Sequence, residues 1–368
     1  MTPDDKNRNA SPSRQNNRLL RLLFPVVNAL VFGALFAVVG YYVFDLARWL
    51  LIGLAFGLGV GLIVEFGLGM FGGWIYRRRV TLAVMLEIVL MIAFIGPFIY
   101  FYAQTPAQHH DVCCIETSGL GDDVEEVNIP VADGETLAGW YAPPTDGSGA
   151  VVMVLHGSRS DRRDGLRHAR VLHDAGFGVL VYDQRASGES TGERQSVGLY
   201  DQRDITPIID WLAEYSEVDT DRIGGVGLSL GAHILVMAGP SEPRLKAIWS
   251  DGLGINNVED IPSYYDGIGA ELIRFINRQA FWLAEIYLGE ELVPAKQLIP
   301  QIAPRHLMLV AGGLAPYEAD FNREYEPYLG ENGDLWIIEN AGHVGGLGAD
   351  PEHYSARMID FFDAALRQ

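Results

Sequence analysis

Residues 223–231 read Ile223-Gly224-Gly225-Val226-Gly227-Leu228-Ser229-Leu230-Gly231, and this stretch decides how the second half of the chain folds. A short apolar run at 223–228 reads as a buried strand, and an amphipathic stretch at 232–239 reads as a helix. Between them lies Gly-x-Ser-x-Gly, a sharp strand-to-helix turn in which the serine takes a strained conformation. Bulk two positions to either side would clash, so glycine stands at both. The turn lifts the Ser229 hydroxyl clear of the sheet, at a helix N-terminus. In this strand–helix context Ser229 is the candidate nucleophile.

A serine hydroxyl is a weak nucleophile until a base takes its proton. In this order of elements the base follows the last strand, and Asn340-Ala341-Gly342-His343 comes directly after an apolar run at 335–338. His343 is therefore the candidate base. His168, His173 and His233 fall on helical stretches, His306 and His353 open elements, and His156 is expected to shape a loop. An acid is needed to fix the imidazole tautomer. It is expected after the run at 307–311, but Leu314 and Ala315 stand where an aspartate would. Glu318 is the nearest carboxylate, Asp320 is a second option, and Asp251, one strand earlier, is a third. The oxyanion requires two fixed N–H donors. Leu230, after the nucleophile, supplies one, and Ser158 of His156-Gly157-Ser158 the other. Arg159, Arg162 and Arg163 crowd this loop, and are read as pairing with Asp161 and Asp164 in preference to an acidic substrate group.

The pattern around these residues alternates strands and helices. Residues 124–131 and 136–141 form an opening hairpin through Asp133-Gly134. Apolar runs follow at 150–155, 179–182, 223–228, 245–250, 307–311 and 335–338, with amphipathic stretches at 163–175, 199–215, 232–239, 317–329 and 351–366. Such alternation predicts an α/β fold with an eight-stranded, mostly parallel sheet covered on both faces. The segment 254–304 is longer than a crossover needs and holds Tyr264, Tyr265, Phe275, Phe281, Trp282 and Tyr287, so a helical lid over a pocket is expected there, with a plain helical crossover packed on the core as the alternative.

The first third of the chain is of another kind. Residues 1–18 are polar and read as a disordered tail. Apolar stretches at about 22–44, 50–76 and 80–103 each exceed the ~20 residues a helix needs to cross a bilayer, so 19–104 is expected to be a three-span membrane anchor and 105–121 a linker. Arg14, Arg18, Arg21 and the Arg77-Arg78-Arg79 run place the N-terminus inside and the domain at 122–368 on the outer face. Glu65 and Glu87 lie within the stretches, and Gly53, Gly57, Gly59 and Gly61 permit close helix packing. Of 27 basic and 47 acidic side chains, nine and five fall in residues 1–104, leaving the rest of the chain at −24. Phosphate repulsion at that charge excludes nucleic acid as a partner. The adjacent Cys113 and Cys114 form no disulfide framework, and with His109, His110 and Asp111 they are too tightly spaced to wrap a metal ion.

Taken together, Leu155-His156-Gly157, the run from Asp183 to Ser190, the turn at 227–231 and Gly342-His343 resemble the α/β-hydrolase superfamily over residues 122–367. Within it the chain is similar to membrane-anchored bacterial hydrolases of the prolyl-oligopeptidase-like and dienelactone-hydrolase-like branches. The resemblance implies a Ser229–His343–acid triad working without cofactor or metal, with Ser158 at the oxyanion hole and Asp183, Arg185 and Ser190 in a structural loop. It implies a serine hydrolase acting on a small-molecule or lipid-like acyl compound. An ester is the leading substrate and a peptide the runner-up. Acyl transfer to another acceptor and a non-catalytic binding domain are the further alternatives.

Overall fold

The computed structural model describes residues 106–368 throughout, and residues 26, 29, 30, 32, 33, 51, 54, 55, 57–59, 61 and 62 of the region before them. The chain divides into two units, Met1–Ile99 and Tyr100–Gln368. In the first unit the described residues are helical. The tail at 1–18 and most of the three apolar stretches lie outside the described residues. Among the described residues no helix is long and apolar enough to cross a membrane.

The second unit is built on eight strands: β1 Glu125–Pro130, β2 Thr136–Ala142, β3 Val151–Leu155, β4 Gly178–Tyr182, β5 Ile223–Leu228, β6 Leu245–Asp251, β7 His306–Gly312 and β8 Gly333–Ile338. Their order across the sheet is β8-β7-β6-β5-β3-β4-β2-β1. The hairpin pair β1–β2 and the β2–β4 pair are antiparallel, and the other five pairings are parallel. Asp133 turns the hairpin with φ 64°, a left-handed conformation that aspartate tolerates better than most residues.

Side chains alternate across the central strands, and each face builds its own core. Val152, Val154, Val226, Leu228 and Trp249 face one way, against α1 (Leu166–Asp174) and the C-terminal helix Pro351–Leu366. Val151, Met153, Leu155, Ile223 and Ile248 face the other way, against α2 (Ile205–Leu212), α3 (Leu230–Ala238) and part of the inserted segment. Burial on both faces explains why these strands read as unbroken apolar runs.

The inserted segment holds two helices, α4 (Gly267–Leu288) and α5 (Ala295–Ile302). Buried Asp260 fixes its base, accepting N–H bonds from Asn256 at 2.9 Å, Asn257 at 3.1 Å, Ala295 at 3.0 Å and Lys296 at 3.2 Å. The segment expected to be one lid is therefore divided. Its α5 half belongs to the core, with Ala295, Leu298, Ile299 and Ile302 buried, whereas α4 is largely exposed. The next helix is α6 (Pro316–Tyr325), and the C-terminal helix is α7.

Residues 106–121 are more than a linker. Gln108–His109 pairs in parallel with Ser187–Gly188, and Val112 and Leu120 are buried in the core cluster that also holds Trp140 and Phe177. The imidazoles here have local partners: His109 contacts the Gly192 carbonyl at 2.9 Å and His110 the Asp161 carboxylate at 2.9 Å. Cys113 and Cys114 are paired with each other.

Candidate active site

The site forms where β5 ends and α3 begins. Ser229 has φ 52° and ψ −107°, a region that costs a side-chain-bearing residue on the order of 1–3 kcal/mol. The surroundings impose it. The Ser229 N–H donates to the Asp251 carbonyl at 2.8 Å, and its own carbonyl accepts the Ala232 N–H at 3.0 Å. The two glycines are sterically required. A Cβ on Gly227 would lie 2.5 Å from the Ala232 nitrogen, and one on Gly231 2.5 Å from the Leu155 carbonyl oxygen.

His343 stands in the loop after β8, with its Nε2 accepting the Ser229 hydroxyl at 2.9 Å. Its Nδ1–H donates to Glu318 Oε2. The other oxygen, Glu318 Oε1, accepts the Gly312 N–H at 2.7 Å. Helix α6 starts with Pro316 at its first position, pre-organised for a helix by its fixed φ. Glu318 thus falls in the first turn, and its side chain leans back toward the end of β7. The hydrogen bond to Glu318 is the largest influence on His343 and raises its pKa above 6.5, against a lowering by partial burial.

The other carboxylates weighed from sequence go elsewhere. Asp251 accepts the Tyr354 hydroxyl at 2.6 Å, and that oxygen in turn accepts Trp249 Nε1–H at 2.8 Å. Full burial pushes the Asp251 carboxyl up to about 7. Asp320 accepts the Tyr265 hydroxyl at 2.7 Å and pairs with Arg323 at 3.0 Å. Neither is the hydrogen-bond partner of the imidazole.

On the oxyanion side, Leu230 is the first residue of α3, so its N–H has no partner within the helix. The loop at His156-Gly157-Ser158 lies alongside: a Cβ on Gly157 would sit 3.6 Å from Ser229 Cβ. His156 holds this loop. Its Nε2 accepts the Gln184 N–H at 3.0 Å, which leaves Nδ1–H to donate to the Gly157 carbonyl at 2.7 Å. Burial lowers its pKa and keeps it neutral. Of the three arginines, Arg162 is buried, donating to Asp183 at 2.7 Å and to Glu189, with its guanidinium 4.7 Å from the Trp140 ring centroid. Arg163 pairs with Asp161 at 2.7 Å, and Arg159 is exposed at the turn. The loop residues Asp183, Arg185 and Ser190 are all internally engaged: Arg185 forms a forked pair with Asp204 at 2.5 and 2.6 Å, and the Ser190 hydroxyl donates to the Asp183 carbonyl at 2.5 Å.

Sequence reasoning missed Gly252. Its φ is +81°, and a Cβ there would lie 2.9 Å from His343 Cε1 and 3.0 Å from Val344 Cγ2. It leaves the room in which the imidazole stands. The signal was present as the Asp251-Gly252 pair at the end of a strand, a usual position for positive φ. Asp260 was missed too, although Asn257–Asp260 carries the spacing of a capping box.

Comparison with known proteins agrees with the fold. The model of the X-Pro dipeptidyl-peptidase (S15) family matches residues 133–272, which include Ser229 but stop before Glu318 and His343. An esterase of Pyrococcus furiosus superposes with a TM-score of 0.55 at 22% identity, covering 71% of this chain and 97% of the esterase. A Penicillium α/β hydrolase gives 0.51 at 20% identity, covering 67% and 99%. The fold is that of the α/β hydrolases. Among curated sequences, an uncharacterized protein of Mycobacterium tuberculosis is 38% identical over 112 residues, which are 30% of this chain and 39% of that protein. This chain thus spans about two-fifths of the length of that relative. The uncharacterized protein YfhR of Escherichia coli is 24% identical over 250 residues, 66% of this chain and 81% of YfhR.

Proposed function

We propose that this protein is a serine hydrolase that cleaves carboxylic esters through an acyl-enzyme, held at a membrane by residues 19–104 with the hydrolase domain on the outer face. The observation that carries the reading is the unbroken hydrogen-bond chain Ser229–His343–Glu318, ending on the Gly312 N–H. The Ser229 oxygen attacks the substrate carbonyl carbon while its proton passes to His343 Nε2. The developing oxyanion lies against the N–H groups of Leu230 and Ser158. His343 returns the proton to the leaving alcohol as the carbon–oxygen bond breaks. Water then adds to the acyl-enzyme by the same route and releases the acid with free Ser229.

The S15 match favours a second reading, a peptidase. One experiment addresses both. One portion of the full chain in detergent is treated with a fluorophosphonate and the labelled residue mapped, and a second, untreated portion is assayed with p-nitrophenyl acetate and with an X-Pro p-nitroanilide. Labelling at Ser229, lost in His343→Ala, with turnover of the ester over the anilide, supports the esterase. Turnover of the anilide alone transfers the assignment to a peptidase. Absence of labelling and of both turnovers sinks the hydrolase reading.

A further inference from the structure

Helix α4 presents an apolar side to solvent. Ile268, Leu272, Trp282 and Ile286 are 92%, 52%, 54% and 61% exposed. They are spaced by four, ten and four residues, so at 3.6 residues per turn they fall on one side of the helix. Ala270, Ala284 and Leu288, on the opposite side, are the ones buried against the domain. The charges on the helix, Glu271, Arg274, Arg278 and Glu285, cluster along one flank between these sides and cancel. A water-facing helix normally reverses this order, with its polar side outward.

The apolar surface extends beyond the helix. Leu314 and Tyr317 are 69% and 64% exposed. Leu314 is bonded through its backbone to Ala341 at 2.9 Å, two residues before His343, and Tyr317 immediately precedes Glu318. Tyr265 bridges the two regions, its ring 6.5 Å from that of Tyr317 and its chain leading into α4. One apolar band therefore runs from the rim of the catalytic residues along α4.

We infer that this band lies in the surface of a lipid bilayer and passes lipid acyl esters from it to Ser229. The inference rests on the esterase reading and names its substrate class. Three features select lipid as the occupant. The last apolar stretch of the sequence ends near 103, and the described residues of the domain begin at Pro106, whose backbone bridges to Arg194. Three residues of chain reach at most about 11 Å, so a bilayer crossed by that stretch is within contact distance of the domain. The exposed set carries Trp282 and Tyr317 among aliphatic side chains, and tryptophan and tyrosine favour the headgroup level of a membrane. The band is continuous with the rim of the site, which a seam for a second copy of the chain has no need to be.

The test uses the full chain reconstituted in phosphatidylethanolamine–phosphatidylglycerol vesicles, comparing wild type with a Leu272→Gln/Trp282→Gln/Ile286→Gln variant. All three side chains are exposed, so the fold is expected to survive. The rate on a long-chain diacyl ester in the bilayer should fall at least tenfold, and the rate on p-nitrophenyl acetate should stay within twofold. Brominated lipid should quench wild-type fluorescence more than that of Trp282→Phe, by the share due to Trp282. Equal rates on the bilayer ester with no Trp282 quenching would overturn the inference while leaving the hydrolase intact, and so would conversion of a dimer to a monomer by the triple substitution. Failure of the esterase reading is visible separately, as absence of p-nitrophenyl acetate turnover and of labelling at Ser229.

Discussion

Replacing Glu318 by glutamine tests the site at its least conventional point. The carboxylate serves two donors at once, His343 Nδ1–H through Oε2 and the Gly312 N–H through Oε1. Glutamine has only one acceptor oxygen. If that oxygen faces His343, the amide NH2 meets the fixed, buried Gly312 N–H, and a buried donor left unpaired costs about 1–3 kcal/mol. The side chain is therefore biased about 10- to 100-fold toward the other orientation, in which NH2 points at Nδ1. That makes Nδ1 an acceptor and moves the ring proton to Nε2, where it can no longer accept from Ser229. Loss of the negative charge opposite the imidazolium adds to this. Together the two effects should lower kcat by about 10³–10⁴, on the scale seen when a triad aspartate becomes asparagine, or about 4–5.5 kcal/mol at 1.36 kcal/mol per tenfold. KM should change little. The pH profile gives a second readout. His343 must be neutral to act, so activity is lost as pH falls through its raised pKa. Without Glu318 the pKa drops, and the acid limb of the residual activity moves to lower pH. Steady-state hydrolysis of p-nitrophenyl acetate between about pH 5 and 9 measures both. A variant keeping more than a tenth of wild-type kcat with an unmoved limb would refute the assignment, above all if Asp251→Asn were the substitution that abolished turnover.

Three further outcomes follow from the same geometry. Ser229→Gly should be inactive yet more stable: relief of the strained φ outweighs the added chain entropy of glycine by about 1 kcal/mol, seen as a Tm roughly 2–4 °C higher, and a lower Tm would contradict the strain. Asp251→Asn should raise Tm more at pH 8 than at pH 5. Burial lifts the native carboxyl to about 7 from 3.8, so the folded wild type holds an extra proton between those values and loses stability as pH rises through them; a difference independent of pH would count against it. Gly252→Ala should push on His343 from 2.9 Å and lower kcat about 10- to 100-fold, the effect expected of an ångström-scale misplacement, with KM within about threefold; unchanged kcat would show that the imidazole has room to spare.

The central apolar runs were legible because a two-face-buried sheet leaves no polar positions to blur them, and all eight expected strands form within about two residues of their expected ends. Ser229 was legible because Gly227 and Gly231 are dictated by backbone contact alone. The acid was only half legible. Sequence gives the gap at Leu314 and Ala315 and a helical stretch from 317, but not that the first turn of that helix aims Glu318 back at Gly312. Residues 106–121 misled for a different reason: only Val112, Ser118 and Leu120 are buried among them, and the rest of the attachment is strand pairing and hydrogen bonds, which leave no periodic pattern in the sequence. The inserted segment read as a single aromatic lid because aromatic content does not reveal which half is pinned by Asp260.

That tucked N-terminal stretch also sets where the domain tolerates being cut. The Val112 carbonyl accepts from Arg162 at 3.3 Å and its N–H donates to Glu189 at 3.0 Å, while Arg170 reaches the carbonyls of Ser118 and Thr117 at 2.5 and 3.0 Å. Truncation at 122 would remove Val112 and Leu120 from the core cluster that holds Trp140 and strip contacts from Arg162 and Arg170, the first of them buried beside the oxyanion loop. Truncation before 106 keeps the plug in place. A cut that releases the domain with these contacts intact therefore falls N-terminal to Pro106.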